Sequence, residues 1–363
     1  MTRRPRVAFV VNGGPGSAMA ERAESFAARL VGSFDARLVY RVGGKFGAAG
    51  RMLRDIAAAG PAACYVLDLA AAGVLAAGAY RHATGTPFVL DTGDAVVELG
   101  RVLGRGPVGV GATRALEAYA LRAASAVVVR GTYHREHLAR RGVTATVIPD
   151  GVAVDAFARP APSAPAHGRP LTIGLVGSSV WVPARQTCYG WDLVELVRLL
   201  RGRVPVRGVL IGDGSGLAVL RERCANYGLD SLIEFAGRVP YADLPARLRG
   251  LDVCLSTQTD DVIGRVRTTG KLPLYLAAGR FVLASRVGEA ARVLPPEMLV
   301  DFRGAADPDY QLKLADRVER LVARGEDFTH RPECVRIARQ HFEYDALAPR
   351  VGAVLARVLG SRG

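Results

Sequence analysis

Lysine is almost missing from this chain. Of its 48 basic residues, only Lys45, Lys271 and Lys313 are lysines, and the rest are arginines. Cysteine is sparse too. Cys64, Cys188, Cys224, Cys254 and Cys334 are odd in number, far apart and form no C-x-x-C pair. That argues against a disulfide framework or a zinc ribbon and fits buried thiols in a reducing compartment. Aromatics make up 7% of the chain and no dense basic run accompanies them, which speaks against nucleic-acid binding. No apolar stretch reaches transmembrane length without charges or breakers. The run Leu67 to Ala79 is interrupted by Gly73 and Gly78 and reads as a buried helix. The segment after Arg3, Arg4 and Arg6 is a short strand followed by glycines, without the apolar core of a secretory signal. A cytoplasmic location is expected.

What remains is a globular composition. The chain has 363 residues, half of them hydrophobic, enough for two domains with their own cores. A net charge of +14 favours anionic partners such as nucleotides, sugar phosphates or an acidic membrane surface. An arginine- and alanine-rich composition explains it equally well. Peripheral membrane contact stays open, as does the oligomeric state.

Strands and helices alternate along the chain. Val7 to Val11 is an apolar strand running into Asn12-Gly13-Gly14-Pro15-Gly16, and Ser17 then caps a helix over about 18–30. Strand, glycine loop and helix form the opening of a Rossmann-like unit. Further strands are expected at 63–67, 87–90, 126–129 and 147–148, with a helix near 112–123. A Pro-rich stretch separates this series from a second one, with strands at 171–176, 206–211, 233–236, 252–255 and 281–284 and helices at 191–200, 217–227 and 241–250. The expected organisation is α/β: a Rossmann-like domain over 1–158, a linker over 159–170, a second Rossmann-like domain over 171–340, and a terminal helix within 341–363 that returns to the first. Both sheets are doubly wound and parallel, and they face each other across a cleft.

Lys271 opens an apolar helix, Lys271-Leu272-Pro273-Leu274-Tyr275-Leu276. A lysine kept there, in a chain that writes its cations as arginine, points to a compact charge for phosphate. A solvated lysine at a helix start is the plain alternative. Arg267 lies four residues earlier, at helical spacing, as a lesser cation or simply a solvated one.

The order of these pieces resembles the GT-B glycosyltransferases, specifically the retaining family four. Val147-Ile148-Pro149-Asp150-Gly151-Val152 with Asp155 and Phe157 is similar to that family's interdomain segment. Leu210-Ile211-Gly212-Asp213-Gly214 and Phe235-Ala236-Gly237-Arg238-Val239 are similar to two donor-domain strands and their exits. Lys271 to Arg280 resembles its nucleotide-side helix. The resemblance implies a metal-independent enzyme without a cofactor. It would transfer a sugar, with retention, from an activated nucleotide diphosphate donor to an acceptor hydroxyl, in glycan or glycoside biosynthesis. Donor contacts would fall to Lys271, Leu272, Arg267 and Arg185, to Gly13, Gly14 and Gly16, to Gly212 and to Glu289. For the glycines, tight turns are the alternative, and for Glu289 a plain acid at a helix start.

The departures are specific. Two glutamates seven residues apart would be expected, yet Arg267 and Leu274 stand there. Tyr189-Gly190 replaces a Lys-Gly pair, and a family histidine has no counterpart near Asp91-Thr92-Gly93-Asp94. Asp91 and Asp94, at a strand end, are candidates to orient or deprotonate the acceptor, with turn capping as the alternative. His134 and His137 lack companions for a metal site, and Asp307-Pro308-Asp309 reads as a turn. Three other readings stay open: a non-nucleotide donor such as phosphoribosyl diphosphate, a degenerate GT-B binding subunit without catalysis, and a sugar-phosphate epimerase.

Overall fold

The computed structural model describes residues 4–44, 47–158, 169–268 and 270–360. The Pro-rich linker core 159–168 expected from the sequence lies outside the described residues.

The first sheet is built from β1 (Arg6–Val11), β2 (Asp35–Tyr40), β3 (Ala63–Leu67), β4 (Phe88–Thr92), β5 (Ala126–Val129) and β6 (Ala145–Val147). All pairings are parallel, in the order β2-β1-β3-β4-β5-β6. The crossovers carry α1 (Ala18–Arg29), α2 (Ala48–Ala59), α3 (Ala71–Thr84), α4 (Val96–Val102), α5 (Pro107–Ala123) and α6 (Thr132–Ala139). The central strands are apolar on both sides because helices cover both faces. Phe9, Tyr65 and Val89 point to one core and Val10, Val66 and Leu90 to the other. Ser17 caps α1 by accepting from the Ala20 N–H at 3.2 Å.

After the short helix α7 (Val154–Phe157), the second sheet begins with β7 (Leu171–Val176). A small antiparallel hairpin follows, β8 (Trp181–Val182) and β9 (Thr187–Cys188). Then come α8 (Trp191–Leu200), β10 (Val206–Ile211), α9 (Leu217–Asn226), β11 (Ile233–Gly237), α10 (Leu244–Arg249) and β12 (Val253–Ser256). The series ends with α11 (Val262–Val266), α12 (Lys271–Ala277), β13 (Phe281–Ser285), α13 (Ala290–Val293), β14 (Leu299–Val300), α14 (Tyr310–Ala323), α15 (Pro332–Phe342) and α16 (Tyr344–Gly360). The sheet order is β11-β10-β7-β12-β13-β14, again parallel. In each sheet the order reverses beside the first strand of the series, between β1 and β3 and between β7 and β12. Such switch points are where open α/β sheets bind ligands, beyond the strand C-termini.

The chain crosses between domains twice, side by side. Val152 N–H donates to Phe342 O at 2.9 Å, and Tyr344 N–H donates back to Val152 O at 3.2 Å. Beyond that point α16 lies against α1, where Tyr344, Leu347, Val351, Val354 and Leu355 join the core formed by Phe9, Phe26 and Tyr65. Five cysteines are free and buried. Among the described residues, no helix is long and apolar enough to cross a membrane.

Candidate functional site: facing switch points

The C-terminal ends of the two sheets meet across several polar contacts. Arg267, after α11, donates from Nε to Asp94 Oδ1 at 2.7 Å, joining the second domain to the loop after β4. The Thr132 N–H at the start of α6 donates to Glu289 Oε1 at 2.5 Å. Arg238, after β11, reaches Gly16 O at 3.3 Å.

Lys271 stands on the second-domain side. The residue is half-buried, and its ammonium sits 3.4 Å from the centroid of the Tyr189 ring. Burial, reinforced by the charge of Arg267, pushes the ammonium well below the usual lysine range, and Asp192 pulls weakly the other way. Among the described residues no carboxylate comes within ion-pair distance of it. Asp192 itself accepts from Gln311 Nε2 at 2.7 Å, and its burial raises its pKa. The Tyr189 hydroxyl donates to Leu255 O at 3.0 Å, which fixes the ring against the exit of β12. Thus the aromatic residue in place of a second lysine forms the platform of the first. Leu272 and Leu274 point into the second core, at 3% and 9% exposure. They offer apolar surface and no polar handle.

The other candidates are placed as follows. Arg185, in the turn between β8 and β9, is engaged by Thr259 Oγ1 at 3.2 Å and by the Asp261 carboxylate. Asp261 in turn caps α11. Gly13, Gly14 and Gly16 form the β1–α1 loop, and Gly16 has φ +74°, a left-handed turn that suits glycine. Gly212 follows β10 at φ +143°, and a Cβ there would lie 2.0 Å from Gly177 O. Its smallness lets two strand exits pack, so ligand contact is not needed to explain it. Glu289, which the resemblance would set near a donor sugar, accepts from the Thr132 N–H at the N-terminus of α6.

Asp91 corrects the sequence expectation. Strand β4 runs on to Thr92, so Asp91 lies within it and is fully buried. Arg22 Nε donates to it at 2.9 Å, Tyr65 Oη at 2.8 Å and Arg130 Nε at 3.4 Å. Fully buried and held by these three donors, it does not face the gap. Asp94 does line the gap. Burial alone would raise its pKa, but Arg267 outweighs that and holds it low. Asp307 accepts from Lys313 at 2.7 Å and from the N–H groups of Arg303 and Asp309, a turn. Sequence reasoning passed over Arg22, Arg130, Asp68, Asp192 and Gln311. Only the strand register and helix packing bring them to the site.

No family model matches the chain, and no curated protein matches it. Solved structures do. Sucrose-phosphate synthase (tll1590) from Thermosynechococcus elongatus is 16% identical, with 99% of this chain and 100% of that one covered and a TM-score of 0.75. Anabaena Alr3699/HepE, solved in complex with UDP and glucose, is 15% identical over 98% of this chain and 100% of that one, at 0.72. AviGT4, a glycosyltransferase involved in avilamycin A biosynthesis, is 16% identical over 98% of each chain, at 0.62. Over nearly its full length, then, this chain has the GT-B fold of two facing Rossmann-like domains.

Proposed function

We propose that this protein is a retaining glycosyltransferase that moves a sugar from a nucleotide diphosphate donor to an acceptor hydroxyl. The observation that carries the reading is the half-buried Lys271 ammonium, seated on the Tyr189 ring beside the gap with no carboxylate at ion-pair distance among the described residues. A partly desolvated cation without a counter-anion is stabilised when a ligand supplies the opposite charge. A diphosphate does so. The anomeric carbon–oxygen bond to the phosphate breaks, and the acceptor oxygen bonds to that carbon on the same face. The acceptor's proton passes to the departing phosphate oxygen. Lys271 holds the charge that develops there, and Arg267 adds to it when released from Asp94. On this reading the protein's own cations supply the stabilisation that a divalent metal gives elsewhere. The HepE complexes with UDP and with UDP-glucose favour a nucleotide donor.

The burial of Leu274 favours the rival donor, phosphoribosyl diphosphate, because no carboxylate stands there to hold a nucleoside ribose. Thermal shift separates the two. Stabilisation by UDP or GDP and not by phosphoribosyl diphosphate is expected, and the reverse pattern overturns the nucleotide reading. Stabilisation by none of them, with no turnover of UDP-sugars, would leave a non-catalytic subunit as the better account.

A further inference from the structure

The hairpin β8–β9 is a strap between the two domains. Its root is joined to the loop after β10: Trp181 N–H donates to Ser215 Oγ at 3.1 Å, and Cys188 Sγ donates to Gly216 O at 3.8 Å. Its tip, Pro183–Arg185, rests against α4 of the first domain. Gln186 closes the turn at φ +49°, a left-handed conformation that is unfavourable for most residues other than glycine. Its backbone N–H and its side-chain amide both donate to Pro183 O, at 3.3 and 2.8 Å. A strained turn persists only where its surroundings over-determine it, so the tip is fixed, and Arg185 with it.

Arg185 serves a different place from Lys271. The charges that act on Lys271 are those of Arg267 and Asp192, without Arg185. The Arg185 guanidinium instead grips the start of α11: Nη1 donates to Thr259 Oγ1 at 3.2 Å and Nη2 to the Asp261 carboxylate. Thr259 Oγ1 donates on to Asp261 Oδ1 at 2.8 Å, and the same carboxylate oxygen accepts the Gly264 N–H at 3.0 Å. The ion pair is sheltered, with side chains 15% and 23% exposed, so it is stronger than one in open water. Burial would raise the Asp261 pKa, but the Gly264 N–H, Thr259 and Arg185 together hold it low.

Helix α11 needs that grip. It has five residues, too few to stay helical on its own hydrogen bonds. Gly264 permits the tight entry, since a Cβ there would lie 1.9 Å from Thr259 O. The helix lies against α4 and α6 of the first domain. Arg267 follows it directly. Its N–H donates to Ile263 O at 3.1 Å, and its guanidinium crosses the gap to Asp94. One chain of contacts thus runs from Arg185 through Asp261, α11 and Arg267 to Asp94.

We propose that Arg185 is a positioning residue: acting through Asp261 and α11, it sets where Arg267 meets Asp94, and so how far apart the two domains stand, without touching the donor. Its effect on turnover rests on the glycosyl-transfer reading, in which Arg267 is the second cation for the departing phosphate. The geometric coupling does not depend on that reading.

The test is a double-mutant cycle between Arg185→Ala and Arg267→Ala in the whole chain. Two readouts need no substrate. Hydrogen exchange of the 262–267 amides should quicken about ten-fold in Arg185→Ala. Small-angle scattering should find this variant as open as Arg267→Ala, and the double variant no more open than either. With a UDP-sugar, turnover should fall about ten-fold in each single variant and no further in the double. The Kd for UDP should stay within about two-fold of wild type in Arg185→Ala. Thr259→Val removes only the bridging hydroxyl; it should show the same changes to a smaller degree, and it decides the matter if Arg185→Ala does not fold. Unaltered exchange over 262–267 overturns the inference. So does an additive fall in turnover, or a UDP affinity that drops about ten-fold in Arg185→Ala, which would make Arg185 a donor contact. Failure of the wild type to bind UDP or to turn over UDP-sugars strikes the glycosyl-transfer reading alone, because exchange and scattering still decide the coupling.

Discussion

The Lys271 ammonium rests on the face of the Tyr189 ring, 3.4 Å from its centroid. A ring face attracts a cation, and the pair is worth about 2 kcal/mol when desolvated. It also leaves the charge free for an anion approaching from the other side, as a carboxylate partner would not. Lys271→Ala should abolish UDP stabilisation and lower turnover at least a hundred-fold, with circular dichroism unchanged. Tyr189→Leu should lower the melting temperature and weaken UDP binding by a smaller factor, because ring and hydroxyl contacts are lost together. Calorimetric titration with UDP checks both.

Lys271 also predicts a pH dependence. Its pKa in the free protein lies well below 10.5 because of burial and Arg267. A bound diphosphate favours the charged form and raises that pKa again. Between the two values, binding takes up a proton, so affinity falls as pH rises through this window. By the same sign, the free protein gains stability as pH rises toward 10.5, since its folded state holds that proton less tightly than its unfolded one. Titration in two buffers of different ionisation enthalpy measures the uptake. Lys271→Met should remove it.

Asp91 and Asp94 should separate cleanly. Asp91→Ala leaves Arg22 and Arg130 buried without their shared acceptor and should cost about 3–5 kcal/mol, visible in urea unfolding. Asp94→Asn breaks a part-exposed pair with Arg267, worth about 1 kcal/mol at most. Its effect should appear instead as a more open average arrangement of the domains in small-angle scattering.

Glu289 gives a fourth expectation. Glu289→Gln keeps a hydrogen-bond acceptor for the Thr132 N–H but removes the charge that favours a helix N-terminus. A small loss of stability, below about 1 kcal/mol, is expected in thermal melts. A much larger fall in turnover than in stability would instead place the carboxylate in contact with the donor.

Much of the architecture was readable in advance because buried parallel strands are continuous apolar runs. The segment 191–200 was read as a helix to the residue, with Gly190 before it and a full apolar face. Strand β2, Asp-Ala-Arg-Leu-Val-Tyr, was not, because an edge strand with one half-exposed face carries charges inside its pattern. Helix α2 was also missed, because its buried stripe is only Ala48, Met52 and Ile56, while α14 and α15 were expected only as helices that finish the chain, without bounds. At the site, one rare lysine was visible by contrast with the arginines around it. The position of Asp91 was not, because β4 runs two residues past the expected end at 90 and carries Asp91 into the sheet. Tyr189 was read as a lost cation, whereas packing makes it the seat of another.

The placement of α16 has a consequence for biosynthesis. Tyr344, Val351 and Leu355 complete the interior shared by Phe9 and Phe26, yet they are translated after the entire second domain. On the ribosome the first domain therefore waits, with one apolar flank uncovered, until the second domain and α16 have emerged. A chaperone that shields that flank during synthesis should raise the yield of native protein, and stalling translation before Tyr344 should leave a nascent chain open to proteases.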